Sequence, residues 1–532
     1  MITRIKATNY RCFKSLDFVP HEGMNIIVGG NEAGKSTLLE VISLLVGGRV
    51  RGRWAADDLN PYWFNHDVVR QYFAAHKAGQ NPALPEIDLE IYFSDDAPGV
   101  ATLLGAHNSL RLKCPGIRMR VRPDSDHHAE LEAYLAEDEL PELLPTDLYQ
   151  VSWHAFSGDP ITRQPRGLGV ALVNSNTSST HSGVDYKLRQ LLRDFVKPQE
   201  SAKIALEHRT SKAKISNGIL RTVNERIAKD EGSFGVSLQM DQSANSNWDT
   251  VVAPHVEETP FAMLGQGRQV ATKIALAMSR SAEHTQLVLL EEPENHLSHT
   301  ELQSVIEKIQ TLSNGRQCFV TTHSSFVLNR LGFKSLHLMH ESRIIPFDAS
   351  AISADTMAYF KKQSGYDTLR LVLANRVVVV EGPSDEMIFN LAFEKVKGRS
   401  PRAAGVDVIT LGTRGKRALE LGKALGRKMA VLRDNDDQEP DHWRAPVSDY
   451  LEDGVREMFI GATSLGRTLE PQMIEAGNDT ALRILFGLDA KDDLLKYMLS
   501  QKTEWAWRVA DSEPGLVWPT YIQEAIEFID AS

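Results

Sequence analysis

Cysteine is scarce in this chain: Cys12, Cys114 and Cys318 are the only three in 532 residues, and they lie far apart. An odd, scattered set builds neither a disulfide framework nor a zinc knuckle, so a reducing cytoplasm is the expected setting. Long apolar runs are missing too. No stretch approaches the ~20 residues that a membrane-spanning helix needs, and no membrane partner is expected. The opening Met1-Ile2-Thr3-Arg4-Ile5-Lys6 is strand-like and lacks the apolar segment and small-residue cleavage site of a secretory leader. Positive charge is in deficit: 59 Lys and Arg against 70 Asp and Glu give a net charge of -11, which argues against a generic nucleic-acid coat. Repeats and low-complexity tracts are lacking as well.

What is present is an ordinary soluble composition, 42% hydrophobic and 24% charged, in a chain too long for one core of about 250–300 residues. The opening predicts strands at Ile2–Tyr10 and Met24–Val28, the second running into a glycine-rich loop and an apolar-periodic helix over Leu38–Leu45. Further strands are expected at Glu86–Phe93 and Ile117–Val121. An exposed helix or excursion is expected over the acidic stretch Asp124–Glu142. From Gly183 to Ile227 the pattern turns helical, with Leu188, Leu191, Leu192, Phe195 and Leu206 among many charges. This reads as an insertion that packs against a copy of itself or serves as a lid. A helix over Arg268–Arg280 returns the chain to its core.

The segment Gly29-Gly30-Asn31-Glu32-Ala33-Gly34-Lys35-Ser36 fits the P-loop pattern between a strand and a helix. Its backbone N–H groups would cradle the phosphates of ATP, Lys35 would reach the β and γ oxygens, Ser36 would ligate Mg²⁺, and Thr37 follows in the same turn. A second buried strand, Leu287-Val288-Leu289-Leu290, ends in Glu291-Glu292. Glu291 would hold the metal through water and Glu292 would polarise an attacking water.

Two later strands also end in acids. Val377–Val380 leads into Glu381-Gly382-Pro383-Ser384-Asp385, and Met429–Leu432 leads into Arg433-Asp434-Asn435-Asp436-Asp437. Carboxylates gathered at one sheet edge make a hard-oxygen site suited to Mg²⁺ or Mn²⁺. The chain between them, Glu394–Arg433, holds eleven Lys or Arg against three acids, which is either a solvated helix face or a phosphate-binding surface. Glu439 stands where an EF-hand requires glycine, so a calcium loop is excluded.

On these residues the first part of the chain resembles ABC-type ATPase heads of the SMC and RecF kind. Leu264-Gly265-Gln266-Gly267-Arg268-Gln269 looks like their signature motif, with Gly265 in place of the usual Ser and Arg268 interrupting the pattern. The resemblance gives Gly265 and Gly267 a place against ATP held by another subunit, and His323 the place of a switch histidine at the γ-phosphate. Gln150 is either the Q-loop glutamine or a surface residue.

The two acidic strands resemble a Toprim domain. A primase would need a zinc module, and a topoisomerase would need a tyrosine-bearing domain for which there is no room. ATPase followed by Toprim is the arrangement of the OLD (overcoming lysogenization defect) family, which includes the nuclease subunit of Gabija-type phage defence. Thr468-Leu469-Glu470 is similar to that family's third acidic motif, and Lys502-Thr503-Glu504-Trp505-Ala506 to its terminal lysine motif. Asp385 stands where many members carry Glu.

The resemblance implies an α/β fold, an ABC-type P-loop head with a helical insertion followed by a Rossmann-like Toprim domain. The expected boundaries are 1–182 and 233–345 for the head, 183–232 for a dimerising insertion, 346–375 for a linker and 376–532 for Toprim. It implies an ATP-regulated DNA endonuclease in which Glu381, Asp385 and Asp434 hold one Mg²⁺ or Mn²⁺. Asp434, Asp436 and Glu470 would hold a second, and Lys502 would offset charge on the phosphorus. DNA and a second copy of the chain are the expected partners, with an accessory defence protein or noncoding nucleic acid a further one. The alternative is an ATP-driven DNA-binding scaffold whose Toprim domain does not cut.

Overall fold

The computed structural model describes residues 1–50, 53–136, 142–165, 168–174, 196–229, 236–243, 248, 252–279, 286–345, 347, 349–362, 367–512 and 515–531. The chain divides into two compact units, residues 1–25 with 34–321, and residues 26–33 with 322–532.

In the first unit, β1 (Ile2–Tyr10) pairs antiparallel with β2 (Phe13–Phe18) on one side. On its other side the same antiparallel sheet continues through β4 (Ile87–Phe93), β5 (Cys114–Pro123) and β6 (Tyr149–Ala155). β3 (Met24–Gly29) leads instead into the nucleotide loop. Three further strands run parallel: β7 (Val170–Asn174), β8 (Leu287–Glu291) and β9 (Gln317–Thr322). Residues Leu287 to Leu290 are all buried, as a parallel strand covered on both faces requires. Helices α1 (Lys35–Gly47), α4 (Gln266–Ser279) and α5 (His299–Leu312) belong to this unit. Ser298 and Glu301 form a capping box that starts α5.

The expected helix at 38–45 is therefore longer on both sides, and the one at 268–280 begins two residues earlier, at Gln266. Of the acidic stretch 124–142, residues His128–Leu135 are a mostly exposed helix; residues 137–141 lie outside the described residues. The insertion is described only over 196–229, so Leu188, Leu191, Leu192 and Phe195 lie outside it. There it forms α2 (Pro198–Asn217) and α3 (Ile219–Ile227), with Gly218 between them.

In the second unit, β3 from Ile26 onward pairs in parallel with β10 (Leu336–His340), which turns back into β11 (Arg343–Ile345). The segment expected as a linker carries α6 (Ala354–Lys362) and α7 (Asp367–Leu373). It is packed within this unit: Phe360 is buried, and the Ser353 and Thr356 hydroxyls donate to the buried Glu420 carboxylate. A four-stranded parallel sheet follows in the order β13 (Val406–Thr410), β12 (Arg376–Val380), β14 (Lys428–Arg433), β15 (Arg456–Ile460).

The valine run of β12 is fully buried because both faces of the sheet are covered. Val378, Val380, Ala430 and Leu432 join a core with α8 (Pro383–Lys397) and the C-terminal helices. Those are α11 (Asp479–Phe486), α12 (Leu494–Gln501), α13 (Thr503–Ser512) and α14 (Thr520–Asp530); the short α10 (Leu469–Met473) precedes them. On the opposite face α9 (Gly415–Ala424) approaches so closely that a Cβ on Gly415 would stand 2.7 Å from a Val431 methyl. Each buried valine contributes roughly 1.5–3 kcal/mol, so this core fixes the sheet edge from which the acids project.

Candidate functional site

Glycine shapes the nucleotide loop at two points. A Cβ on Gly29 would meet the Met339 carbonyl oxygen at 2.3 Å. Gly34 precedes α1 with φ of 104°, and a Cβ there would stand 2.8 Å from the Phe13 ring and 3.0 Å from the Cys12 sulfur. Asn31 and Ser36 are exposed, Thr37 is half-buried and Lys35 is buried. Burial lowers the Lys35 pKa, opposed by Glu292, then Glu294, then Glu291. That order brings the loop lysine beside the acidic end of β8, as the pairing of the two motifs requires.

Glu292 adopts φ of 46°, donates its N–H to the Thr321 carbonyl at 3.0 Å and accepts from the Asn295 amide at 2.7 Å. A short loop thus holds this carboxylate just past the strand. His323 is half-buried and follows β9 directly. Gly265 accepts from the Gln269 N–H at 3.1 Å, and a Cβ on Gly267 would meet the His296 carbonyl oxygen at 2.3 Å, so α4 packs there through bare backbone. Gln150 lies exposed on β6 opposite Arg122, the surface alternative of the two.

In the second unit β12 and β14 run parallel side by side, so Glu381 and Asp434 leave the same sheet edge. Asp385 sits in the first turn of α8, where its carboxylate accepts the Gly382 N–H at 3.0 Å. Glu470 opens α10 and accepts from the Thr468 hydroxyl at 2.8 Å. Burial raises the Glu381 pKa, opposed by Arg433 and reinforced by Asp436. Asp385 is pushed up to about 7 by burial, then by Glu381 and Glu470. Asp434 is pushed up to about 8 by burial, then by Asp385, Glu381, Glu470 and Asp436.

Four of the predicted acids therefore share one electrostatic field, while Asp436, 38% exposed and with φ of 50°, stands at its rim. Lys502 is exposed and caps the C-terminus of α12 with φ of 48°.

Among the described residues no three His, Cys, Asp or Glu side chains are gathered closely enough to hold a metal ion as they stand. The donor set nonetheless fits a hard cation. It is all oxygen, its members repel one another, and Glu381 Oε1 is buried without a hydrogen-bond partner.

Four residues of this site escaped sequence reading. Arg433 lies 3.7 Å from Glu381 Oε1 and 3.6 Å from Asp436 Oδ2, with its guanidinium 3.6 Å from the Trp443 ring centroid. The fully buried Tyr521 hydroxyl is held un-ionised by burial and by the same four carboxylates. Asn435, inside the acidic motif, donates to the carbonyls of Gly461 at 3.1 Å and Gly466 at 2.7 Å and accepts the Asp437 N–H at 2.9 Å. Only Asn435 had a usable signal, an amide between two acids at the end of a strand.

A family model described as overcoming lysogenization defect protein-like, TOPRIM domain, matches residues 372–436, the stretch holding Glu381, Asp385, Asp434 and Asp436. Two models described as AAA domains match residues 4–95 and 181–329. The chain is thus an α/β protein of the class that joins an ATPase to a C-terminal Toprim domain. A curated relative, the OLD nuclease of Thermus scotoductus (strain ATCC 700910 / SA-01), is 24% identical over 472 residues, covering 82% of each chain. With the Toprim and AAA matches, this supports an OLD family ATPase–Toprim protein.

Among solved structures, an Smc head bound to the C-winged helix domain of ScpA is 15% identical with a TM-score of 0.33, covering 65% of this chain and 96% of that one. The C-terminal region of the Xanthomonas campestris pv. campestris OLD protein is 21% identical with a TM-score of 0.24, covering 29% and 93%.

Proposed function

We propose that this protein is a divalent-metal-dependent DNA endonuclease governed by ATP bound at its other site. The observation that carries the reading is the half-buried cluster of Glu381, Asp385, Asp434 and Glu470, whose mutual repulsion Arg433 offsets only in part. The name of the Thermus relative supports the same chemistry.

Glu381, Asp385, Asp434 and Glu470, with Asp436 at the rim, would hold Mg²⁺ or Mn²⁺. When bound, the cations supply an activated water and stabilise the leaving oxygen of a phosphodiester. The short arm of Asp385 is held in place by the Gly382 N–H, which its carboxylate accepts. Lys502, exposed and long-stemmed, would reach the phosphate of a bound strand rather than the acids. At the other site Lys35 would neutralise the ATP phosphates, Glu292 would polarise water and His323 would sense the γ-phosphate. Leu206 and Ile219, 65% and 75% exposed on α2 and α3, offer apolar surface for a second copy of the chain.

Conversion of supercoiled plasmid to nicked circles in Mg²⁺ or Mn²⁺ tests the reading. Wild type should nick, and Asp434→Ala should lose at least about a hundredfold in rate. A wild type that binds DNA but never nicks it, in either metal, would leave the scaffold alternative standing.

A further inference from the structure

On the α9 face of the parallel sheet lies a cavity of about 180 Å³ that shares one wall with the acid cluster. Its floor is apolar, built from Val379, Val431, Val447 and Met458. Its rim is charged and polar: Glu381, Arg433, Thr413 and Lys416 stand around the opening, and Trp443 flanks Arg433. Glu381 belongs to both places. A molecule seated in the cavity is therefore next to whatever the carboxylates hold.

The charges on the rim are unequally committed. Arg433 reaches two carboxylates only at ion-pair distance, 3.6 and 3.7 Å, and its buried Nε makes no hydrogen bond. Lys416 is exposed on the first turn of α9. Beside it, Arg414 and Arg417 stand 5.2 and 4.6 Å from the Tyr359 ring and extend the positive surface away from the opening. An apolar slot beneath a cationic lip matches a nucleotide, whose base is apolar on its faces and whose phosphates are anionic. A paired base cannot enter such a slot, because its faces are covered in the stack.

We propose that this cavity takes one unpaired nucleobase of the DNA strand whose neighbouring phosphodiester lies at the acid cluster, with Lys416 and Arg414 on the flanking phosphates. The proposal rests on the nuclease reading for the role of the neighbouring phosphate, but base capture itself is measurable without cutting. The site would thereby favour single-stranded, frayed or mismatched DNA over a fully paired duplex.

The test compares equilibrium binding of a fluorescent oligothymidylate with that of an abasic oligomer of equal length, with Ca²⁺ as the divalent ion. Wild-type protein should bind the thymidylate about tenfold more tightly, since the probes share their backbone charge and differ in their bases, and the Val447 variants then assign the difference to the cavity. Val447→Phe, which fills the floor, should remove that advantage. Val447→Leu should reduce it, and keeps the location testable if phenylalanine prevents folding. Lys416→Ala should weaken both probes equally and flatten the salt dependence. Equal binding of the two probes by wild type would overturn the proposal, as would an undiminished thymidylate advantage in a folded Val447 variant. Plasmid nicking is scored separately: thymidylate preference without nicking would sink the nuclease reading and leave the pocket in place.

Discussion

At Asp434 and Asp385 the chain half-buries carboxylates that a cation needs ionised, among others of the same sign. An unfolded Asp ionises near 3.9, whereas these are pushed up to about 8 and about 7. Between pH ~4 and ~8 the folded chain therefore holds protons that the unfolded chain has released. Stability from this source is fully present below about pH 4, falls as pH rises and levels off above about pH 8. Asp434→Asn removes one ionisation and relieves its neighbours. Thermal melts in EDTA should show wild type losing stability from pH 5 to pH 9 and the variant losing less. Mg²⁺ at pH 9 should restore wild type and leave the variant unmoved. Parallel melting curves for the two proteins, with and without Mg²⁺, would contradict the coupling.

The elements that carry these residues were legible to different degrees. Strand β12 announces itself by four consecutive valines followed by Glu-Gly-Pro, and the P-loop by its glycine spacing between strand and helix; both are local signals. Helix α6 lies in a stretch whose polar composition reads as a domain boundary, and α7 falls within the same expected linker. Their place depends on a distant partner, the buried Glu420 that Ser353 and Thr356 satisfy, and such a contact leaves no trace in local pattern. Tyr521 was missed for the same reason, since it enters the acid field from the last helix, nearly ninety residues beyond Asp434 by numbering. Glu470 and Lys502 are legible only through family resemblance; Glu470 acts on Asp385 and Asp434 through its charge, and Lys502 is exposed at the end of α12.

The loop after β14 makes a further point about elements. Asp436 and Asp437 both adopt positive φ, 50° and 62°, a conformation that costs a non-glycine residue on the order of 1 kcal/mol or more. Asn435 secures it, tying the loop to the carbonyls of Gly461 and Gly466, and the Gln472 amide donates to Gly466 from the same helix that carries Glu470. Asn435→Ala should therefore loosen both acidic loops at once. Expected is a loss of about 1–3 kcal/mol in stability and a rise in the Mg²⁺ concentration needed for nicking, with much of the rate recovered at saturating metal. A rate loss that excess Mg²⁺ cannot repair would instead place Asn435 in contact with the DNA.

On the scale of the whole molecule, the two acidic strand ends answer different questions, one beside Lys35 and the other beside Arg433. If ATP governs cutting and takes no chemical part in it, the activities must separate. Lys35→Ala should abolish ATP hydrolysis while metal-dependent nicking persists at some ATP concentration, including none. Asp434→Ala should do the reverse, hydrolysing ATP without nicking. If the helical insertion pairs two copies of the chain, it also bears on the ATPase. Charging its exposed apolar surface with Leu206→Glu and Ile219→Glu together should shift the mass measured by light scattering from dimer to monomer. Because the resemblance places the Gly265–Gly267 loop against ATP held by another copy, that monomer should hydrolyse ATP slowly yet keep its metal-dependent nicking. Should Lys35→Ala eliminate nicking at every ATP concentration, hydrolysis would be a step of the cutting reaction itself, and the two sites would have to be treated as one machine.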